Sequence, residues 1–167
     1  MNCTNCGAPL RLVTDRDTLY CEYCTTYHFP DEAVEGILFL GIADKLECPV
    51  CRKNLVLGSL LGNRLRICPN CRGILANQDS FFTIVTYLRS TTQGPELPIR
   101  PLDTTQYDRM LFCPSCEKQM DTHPYLGPGN VMIDNCIDCG WVWLDNGEMT
   151  RIILTAGRDR DRLFRKF

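Results

Sequence analysis

Twelve cysteines carry most of the chemistry this sequence can do, and every one belongs to a C-x-x-C pair. The pairs are Cys3/Cys6, Cys21/Cys24, Cys48/Cys51, Cys68/Cys71, Cys113/Cys116 and Cys136/Cys139. A disulfide needs only that two sulfurs meet, so disulfide scaffolds space their cysteines irregularly. One spacing used six times is the pattern of metal knuckles, in which two thiolates converge on one ion. The stretches between successive pairs hold 14, 23, 16, 41 and 19 residues. Short gaps alternate with long ones, which predicts sequential pairing. The sets are then Cys3-Cys6-Cys21-Cys24, Cys48-Cys51-Cys68-Cys71 and Cys113-Cys116-Cys136-Cys139. The last two have a spacing typical of zinc, and the first is one residue shorter. A cross-braced arrangement, with alternate pairs sharing an ion, is the rival, and the gap pattern does not call for it. Three Zn2+ per chain are expected. Iron in a rubredoxin-like site is the alternative, although the close cysteine spacing of many iron–sulfur proteins is absent.

Four thiolates fill a tetrahedral metal, whereas catalytic zinc keeps one position open. No metal catalysis is therefore expected. The chain also lacks GxSxG, GxxxxGK[ST], HExxH and a dinucleotide fingerprint, so neither an enzyme nor a small-molecule substrate is expected. Asp145 and Glu148 are spaced as a capping box at a helix start rather than as an acid/base pair. His28 and His123 stand outside any ligand spacing and read as ordinary surface or turn histidines.

The elements must bring these knuckles together. A ribbon of about 40 residues cannot bury enough apolar surface to fold alone. Zinc binding to four thiolates contributes on the order of 10–16 kcal/mol of apparent free energy, which here is folding free energy. The expected fold class is a small metal-stabilised β/α+β protein. It has three tandem four-cysteine zinc ribbons, each of β-hairpins followed by a short helix. In the middle repeat "LVLGSLLGNRLRIC" reads as two strands around Gly62-Asn63. In the last, "LGPGN" marks a turn and "VMIDNC" the returning strand. "DSFFTIVTYL" places Phe81, Val85 and Leu88 on one helical face. Met149, Ile152, Ile153 and Ala156 follow the same period, with Gly157 as a stop. "DEAVEGILFLGI" reads as a weaker helix, interrupted by Gly36 and Gly41. The units are 1–47, 48–89, a proline-containing linker 90–109, 110–157 and a basic, aromatic tail 158–167. Each metal set is expected to fold its own segment.

The stretch "CPSC…CIDCGWVWLDNGEM" resembles the TFIIB-type zinc-ribbon family, whose pattern is a CPxC knuckle followed by CxxCGGVWLDxGEL. The resemblance is strong over 113–149. It is partial over 48–81, where "CPVC…CPNCRGILANQDSF" lacks the WLD-x-GE portion. Over 3–34 it is weak, with only cysteines and topology kept. It implies structural zinc, a ribbon fold and a prokaryotic source, and it implies no reaction. The family pattern carries a tryptophan at position 143, which assigns Trp143 to the ribbon's own core. It has glycine at 141, so Trp141 is a departure.

Charge bears on partners. The net charge is −2 with cysteines neutral. Each zinc tetrathiolate counts −2, which takes the metallated chain to about −8. That disfavours general nucleic-acid affinity, which rests on Lys and Arg neutralising phosphates. The middle ribbon is locally basic, and Arg64 and Arg66 alternate on one strand and share a face. They form either a small anion or nucleic-acid patch, or a basic layer packed between acidic ribbons. Alternation places Trp141 and Trp143 on one strand face, and Val142 and Leu144 on the other. Trp141 then either packs on the linker or a neighbouring ribbon, or anchors a partner. Leu163, Phe164 and Phe167 in "RDRDRLFRKF" are partner contacts or a frayed amphipathic turn.

No apolar run approaches a membrane span, and the first residues lack the charge and apolar run of a signal peptide. Twelve thiolates suit a reducing compartment, so a cytoplasmic location is expected. The functional expectation is a non-catalytic interaction module or accessory subunit of a larger assembly, with protein partners. The alternatives are nucleic-acid binding through the middle ribbon, and redox sensing or zinc handling.

Overall fold

Every C-x-x-C pair folds into the same backbone turn. In five of the six, the N–H of the first cysteine donates to the carbonyl five residues on, as from Cys48 to Lys53, Cys68 to Gly73 and Cys113 to Lys118. The residue after the second cysteine takes a positive φ in all six: Gly7, Thr25, Arg52, Arg72, Glu117 and Gly140. Only two of these are glycine. The other four accept a left-handed conformation that non-glycine residues adopt at a cost.

The computed structural model describes residues 1–13, 18–29 and 32–160, the side chains of 32–34 excepted. The tail residues Leu163, Phe164 and Phe167 lie outside the described residues. The first knuckles frame a small antiparallel sheet of β1 (Arg11–Val13), β2 (Thr18–Tyr20) and β3 (Tyr27–His28). The other strands are β4 (Glu32–Val34), β5 (Ile37–Glu47), β6 (Asn54–Leu60), β7 (Asn63–Ile67), β8 (Ile74–Asn77), β9 (Asp121–Pro124), β10 (Met132–Cys136) and β11 (Trp141–Leu144). They form one sheet in the order β4-β5-β6-β7-β8-β11-β10-β9. Helices α1 (Gln78–Thr91) and α2 (Glu148–Leu154) contact each other and share one core cluster with that sheet.

Two expectations are corrected here. The segment "DEAVEGILFLGI" is not a helix. It is the hairpin of β4 and β5, turned at Glu35 (φ 50) and Gly36 (φ 81). Positive φ at both turn residues is the signature of the two-residue hairpin turn that suits strand twist. The first ribbon is therefore followed by strands. The second correction concerns independence. β8 of the second ribbon pairs antiparallel with β11 of the third, with Leu75 opposite Trp143 and Ala76 opposite Val142. The two ribbons share one sheet and two cores. One core holds Leu65, Ile67, Ile74 and Ala76 of the second ribbon with Val142, Leu144 and Ile133 of the third, and with buried α1 and α2 residues. The other holds Leu55 and Leu75 with Trp143, Met120 and Leu111, plus Cys48, Cys68, Cys113 and Cys136.

The linker is pinned along its length. Leu97 bridges Thr155, its N–H donating to the Leu154 carbonyl. Asn130 donates to the Arg100 carbonyl. A 3-10 turn over Thr104–Asp108 then delivers Arg109 to the third ribbon. The start of the tail is docked as well. Arg160 is buried and donates to the Ile153 carbonyl, and Arg89 of α1 donates to the carbonyls of Ile152 and Thr155. Two buried guanidinium groups thus satisfy the open carbonyl end of α2, where a cation is favoured. Asp159 completes the arrangement with a two-pronged ion pair to Arg89. Among the described residues no helix is long and apolar enough to cross a membrane.

Candidate metal centres

The twelve cysteines gather into the three sequential sets, and in each the four sulfurs lie within 4.8 Å of one another. Measured pairs are Cys3–Cys24 at 3.4 Å and Cys6–Cys21 at 3.5 Å in the first site. They are Cys48–Cys71 at 3.6 Å and Cys51–Cys68 at 3.3 Å in the second, and Cys116–Cys136 at 3.6 Å in the third. These separations exclude disulfides, whose sulfurs stand about 2.05 Å apart. They approach the roughly 3.8 Å edge of a tetrahedron with zinc–sulfur bonds of about 2.3 Å. The donor set and its geometry fit Zn2+ at all three sites, and the sulfurs do not interleave as cross-bracing would require. Burial pushes the Cys48 and Cys113 thiols up, so both rely on the cation to become thiolates.

The sites differ in their surroundings. The inner cysteines of the second and third sites face the shared core around Trp143, which is fully buried. A Cβ added to Gly73 would lie 2.2 Å from the indole Cζ2. The indole thus occupies the space left open by the second ribbon's glycine. Trp143 belongs to a core common to two ribbons, which corrects its assignment to the third alone. Its Nε1 donates to Asp145 at 3.0 Å.

Trp141 is half-buried on the same strand face. The Arg66 guanidinium lies over its ring, 4.6 Å from the centroid, and its Nε1 donates to Ser115 at 2.7 Å. Arg66 also pairs with Asp44 of β5 at 2.6 Å. Hydrogen bonding and the charge of Arg66 outweigh burial and hold the Asp44 carboxyl below its usual range. Arg64 is half-buried on the same face of β7 as Arg66. The structure thus brings Arg66 and Trp141 together, a pairing that sequence patterning did not suggest.

Asp145 and Glu148 sit beneath the linker. Glu148 accepts from the Asp145 N–H at 2.7 Å, which is half of the expected capping box. The other half is replaced. Asp145 is engaged by Trp143 and Arg109, and Arg109 also pairs with the buried Asp134. The residue preceding α2 is Gly147 (φ 88), and the free N–H groups of Gly147 and Thr150 donate to the Glu35 carboxylate at 3.2 and 2.6 Å. Sequence reasoning missed Glu35, which acts from 112 residues away. It also missed His28, whose Nε2 stands 3.2 Å from Cys3 Sγ. A signal for His28 existed in its place four residues past Cys24. His123 is neither a surface nor a turn histidine: it lies half-buried in β9 opposite Ile133, with Nδ1 3.0 Å from the Pro124 carbonyl.

Three closed four-sulfur sites on knuckled hairpins define a zinc-ribbon protein. Residues 112–155, which contain the third site, β9 to β11 and α2, match the family model described as transcription factor zinc-finger, the TFIIB-type zinc ribbon. No curated protein matches the chain, and no solved structure does.

Proposed function

We propose that this chain is a non-catalytic, zinc-stabilised interaction module, serving as an accessory subunit of a larger protein assembly. The observation that carries this reading is the aromatic surface of the first ribbon. Tyr23 is 83% exposed, Phe29 76%, and Tyr27 is exposed beside Tyr20, with ring centroids 4.8 Å apart. Aromatic side chains of this kind are enriched where proteins bind one another. The metals are read as structural, because four thiolates leave no position for substrate. Leu163, Phe164 and Phe167 remain candidate contacts, and Trp141 offers only the part of its ring that Arg66 leaves open.

Nucleic-acid binding through the middle ribbon is the second reading. It is the weaker, since Arg66 is committed to Asp44 and Trp141 and the metallated chain is acidic overall. A photo-cross-linker placed at Tyr23 or Phe29 in the tagged full chain tests the proposal in cells of its source. One protein should be captured at both positions and not from Leu126, which is also fully exposed. Equal capture from Leu126 would sink it, as would sub-micromolar affinity for DNA or RNA near physiological salt.

A further inference from the structure

The three sites differ in what touches their sulfurs from outside. In the second, the N–H groups of Cys51 and Cys71 point at Cys48 and Cys68 Sγ, at 3.5 and 3.4 Å. In the third, Ser115 N–H does the same to Cys113 at 3.4 Å. In the first, an Ala8 backbone hydrogen bond to Cys6 is joined by two close side-chain contacts. Thr26 Oγ1 lies 3.2 Å from Cys24 Sγ, and His28 Nε2 lies 3.2 Å from Cys3 Sγ. An imidazole is itself a zinc ligand, as a backbone amide is not.

The geometry of His28 suits that role. In a tetrahedral zinc site with one imidazole, the sulfur–nitrogen edge is about 3.6 Å, from bonds of about 2.3 and 2.0–2.1 Å. His28 Nε2 already stands within that distance of Cys3 Sγ. It lies outside the set of four sulfurs, so with Cys3 in place it is a neighbour of the metal's ligand and not a ligand. Its backbone is held by pairing with β2, where His28 sits opposite the buried Leu19, two residues before Cys21. Cys3 is held by its own knuckle, its N–H donating to the Ala8 carbonyl and its carbonyl accepting from the Gly7 N–H, next to the isolated bridge between Asn2 and Pro9. The first site is also separate from both shared cores, since none of its cysteines belongs to them. A change of ligand there need not disturb the large sheet.

We propose that the first site has five donors for four positions: His28 binds Zn2+ through Nε2 when Cys3 is withdrawn. The site then passes from four sulfurs to three sulfurs and one nitrogen, a set that structural zinc sites also use. Its charge falls from −2 to −1, and no coordination position opens. The first ribbon can thus give up the Cys3 thiolate and keep its metal and its fold. Among the described residues no histidine is hydrogen-bonded to a sulfur of the other two sites. This inference is independent of the partner reading.

The test uses the full chain, with zinc content by elemental analysis and ligand type by visible absorption after cobalt substitution. Cys3→Ala and Cys3→Ser should each keep three zinc ions. Both should give first-site cobalt bands shifted from a four-sulfur towards a three-sulfur, one-nitrogen pattern. Adding His28→Ala to either should remove the shifted bands and weaken the first site by roughly tenfold or more in chelator competition. His28→Ala alone should keep three ions and the four-sulfur spectrum. Loss of the third ion in both Cys3 single variants overturns the proposal. So does a spectrum in the double variants that matches the single ones.

Discussion

The Trp143 indole stands where a side chain on Gly73 would have to go, with Cζ2 2.2 Å from the position of its Cβ. One residue is in the third ribbon and the other in the second, 70 positions apart. Trp143→Ala empties a site that is fully buried and should cost about 3–5 kcal/mol. Gly73→Ala forces the indole out of place and should cost about 1–3 kcal/mol. Denaturant unfolding of the zinc-loaded protein measures both. Because the core is common, each variant should loosen the second and third ribbons in one transition and leave the first unaffected.

Sharing also alters what losing one metal does. Cys113 lies in the same cluster as Cys48 and Cys68. Cys113→Ala should therefore weaken zinc at the second site as well as abolish it at the third, with the first site unchanged. Stepwise chelation followed by zinc release would show it. If the second site kept its full affinity in Cys113→Ala, the two ribbons would be energetically separate despite their shared sheet.

The cysteine spacing made the three metal sites legible, because a thiolate pair has little choice of partner once gap lengths are fixed. The strands β6, β7 and β10 and both helices followed from local periodicity. The β4–β5 hairpin did not, because its apolar residues fill both faces and mimic a buried helix; only Glu35-Gly36 marked the turn. The joining of β8 to β11 was invisible to local pattern. It follows from "GILAN" and "WVWL" each being apolar on both faces, which requires cover on two sides. Trp141 was legible as anomalous but not as the platform for Arg66, since that contact depends on sheet order. The capping of α2 by Glu35 was equally out of reach, because it spans two repeats.

Glu35 and α2 give a separate test of that long-range contact. The carboxylate accepts from two N–H groups at the positive end of the helix. Glu35→Ala should cost about 1 kcal/mol, as the loss of a helix cap does. Glu35→Gln keeps one acceptor and loses the charge, and should fall between. Thermal unfolding in low and high salt separates these, since only the charge component is screened.

The Arg66–Trp141 contact should be measurable as a coupling. Arg66→Gln and Trp141→Ala should each cost about 0.5–2 kcal/mol, and their double variant less than the sum. Zinc content should stay at three ions in all of them. A strictly additive double variant would mean that the guanidinium and the ring contribute independently.

Glu148 makes stability depend on pH in an unusual direction. It is buried, and burial raises its carboxyl from an ordinary 4.5 to about 7. The Asp145 charge adds to the rise, and the Asp145 amide, Gln106 and Arg109 oppose it. Between those two values the folded chain holds a proton that the unfolded chain has released. Stability therefore falls as pH rises across this range, because the native state binds more protons. The contribution is complete below the unfolded value and is lost as pH passes about 7. Acid separately releases zinc by protonating thiolates, so the window in which Glu148 is visible runs from about pH 6 to 8. Over it the zinc-loaded protein should lose about 1–2 kcal/mol, within the limit of about 1.4 kcal/mol per unit of pKa shift. Glu148→Gln keeps an acceptor for the Asp145 N–H and removes the titration. That variant should flatten the slope and be the more stable protein at about pH 8. Denaturant midpoints at several pH values, with zinc content checked at each, decide it. An unchanged slope in Glu148→Gln would mean that another group carries the dependence.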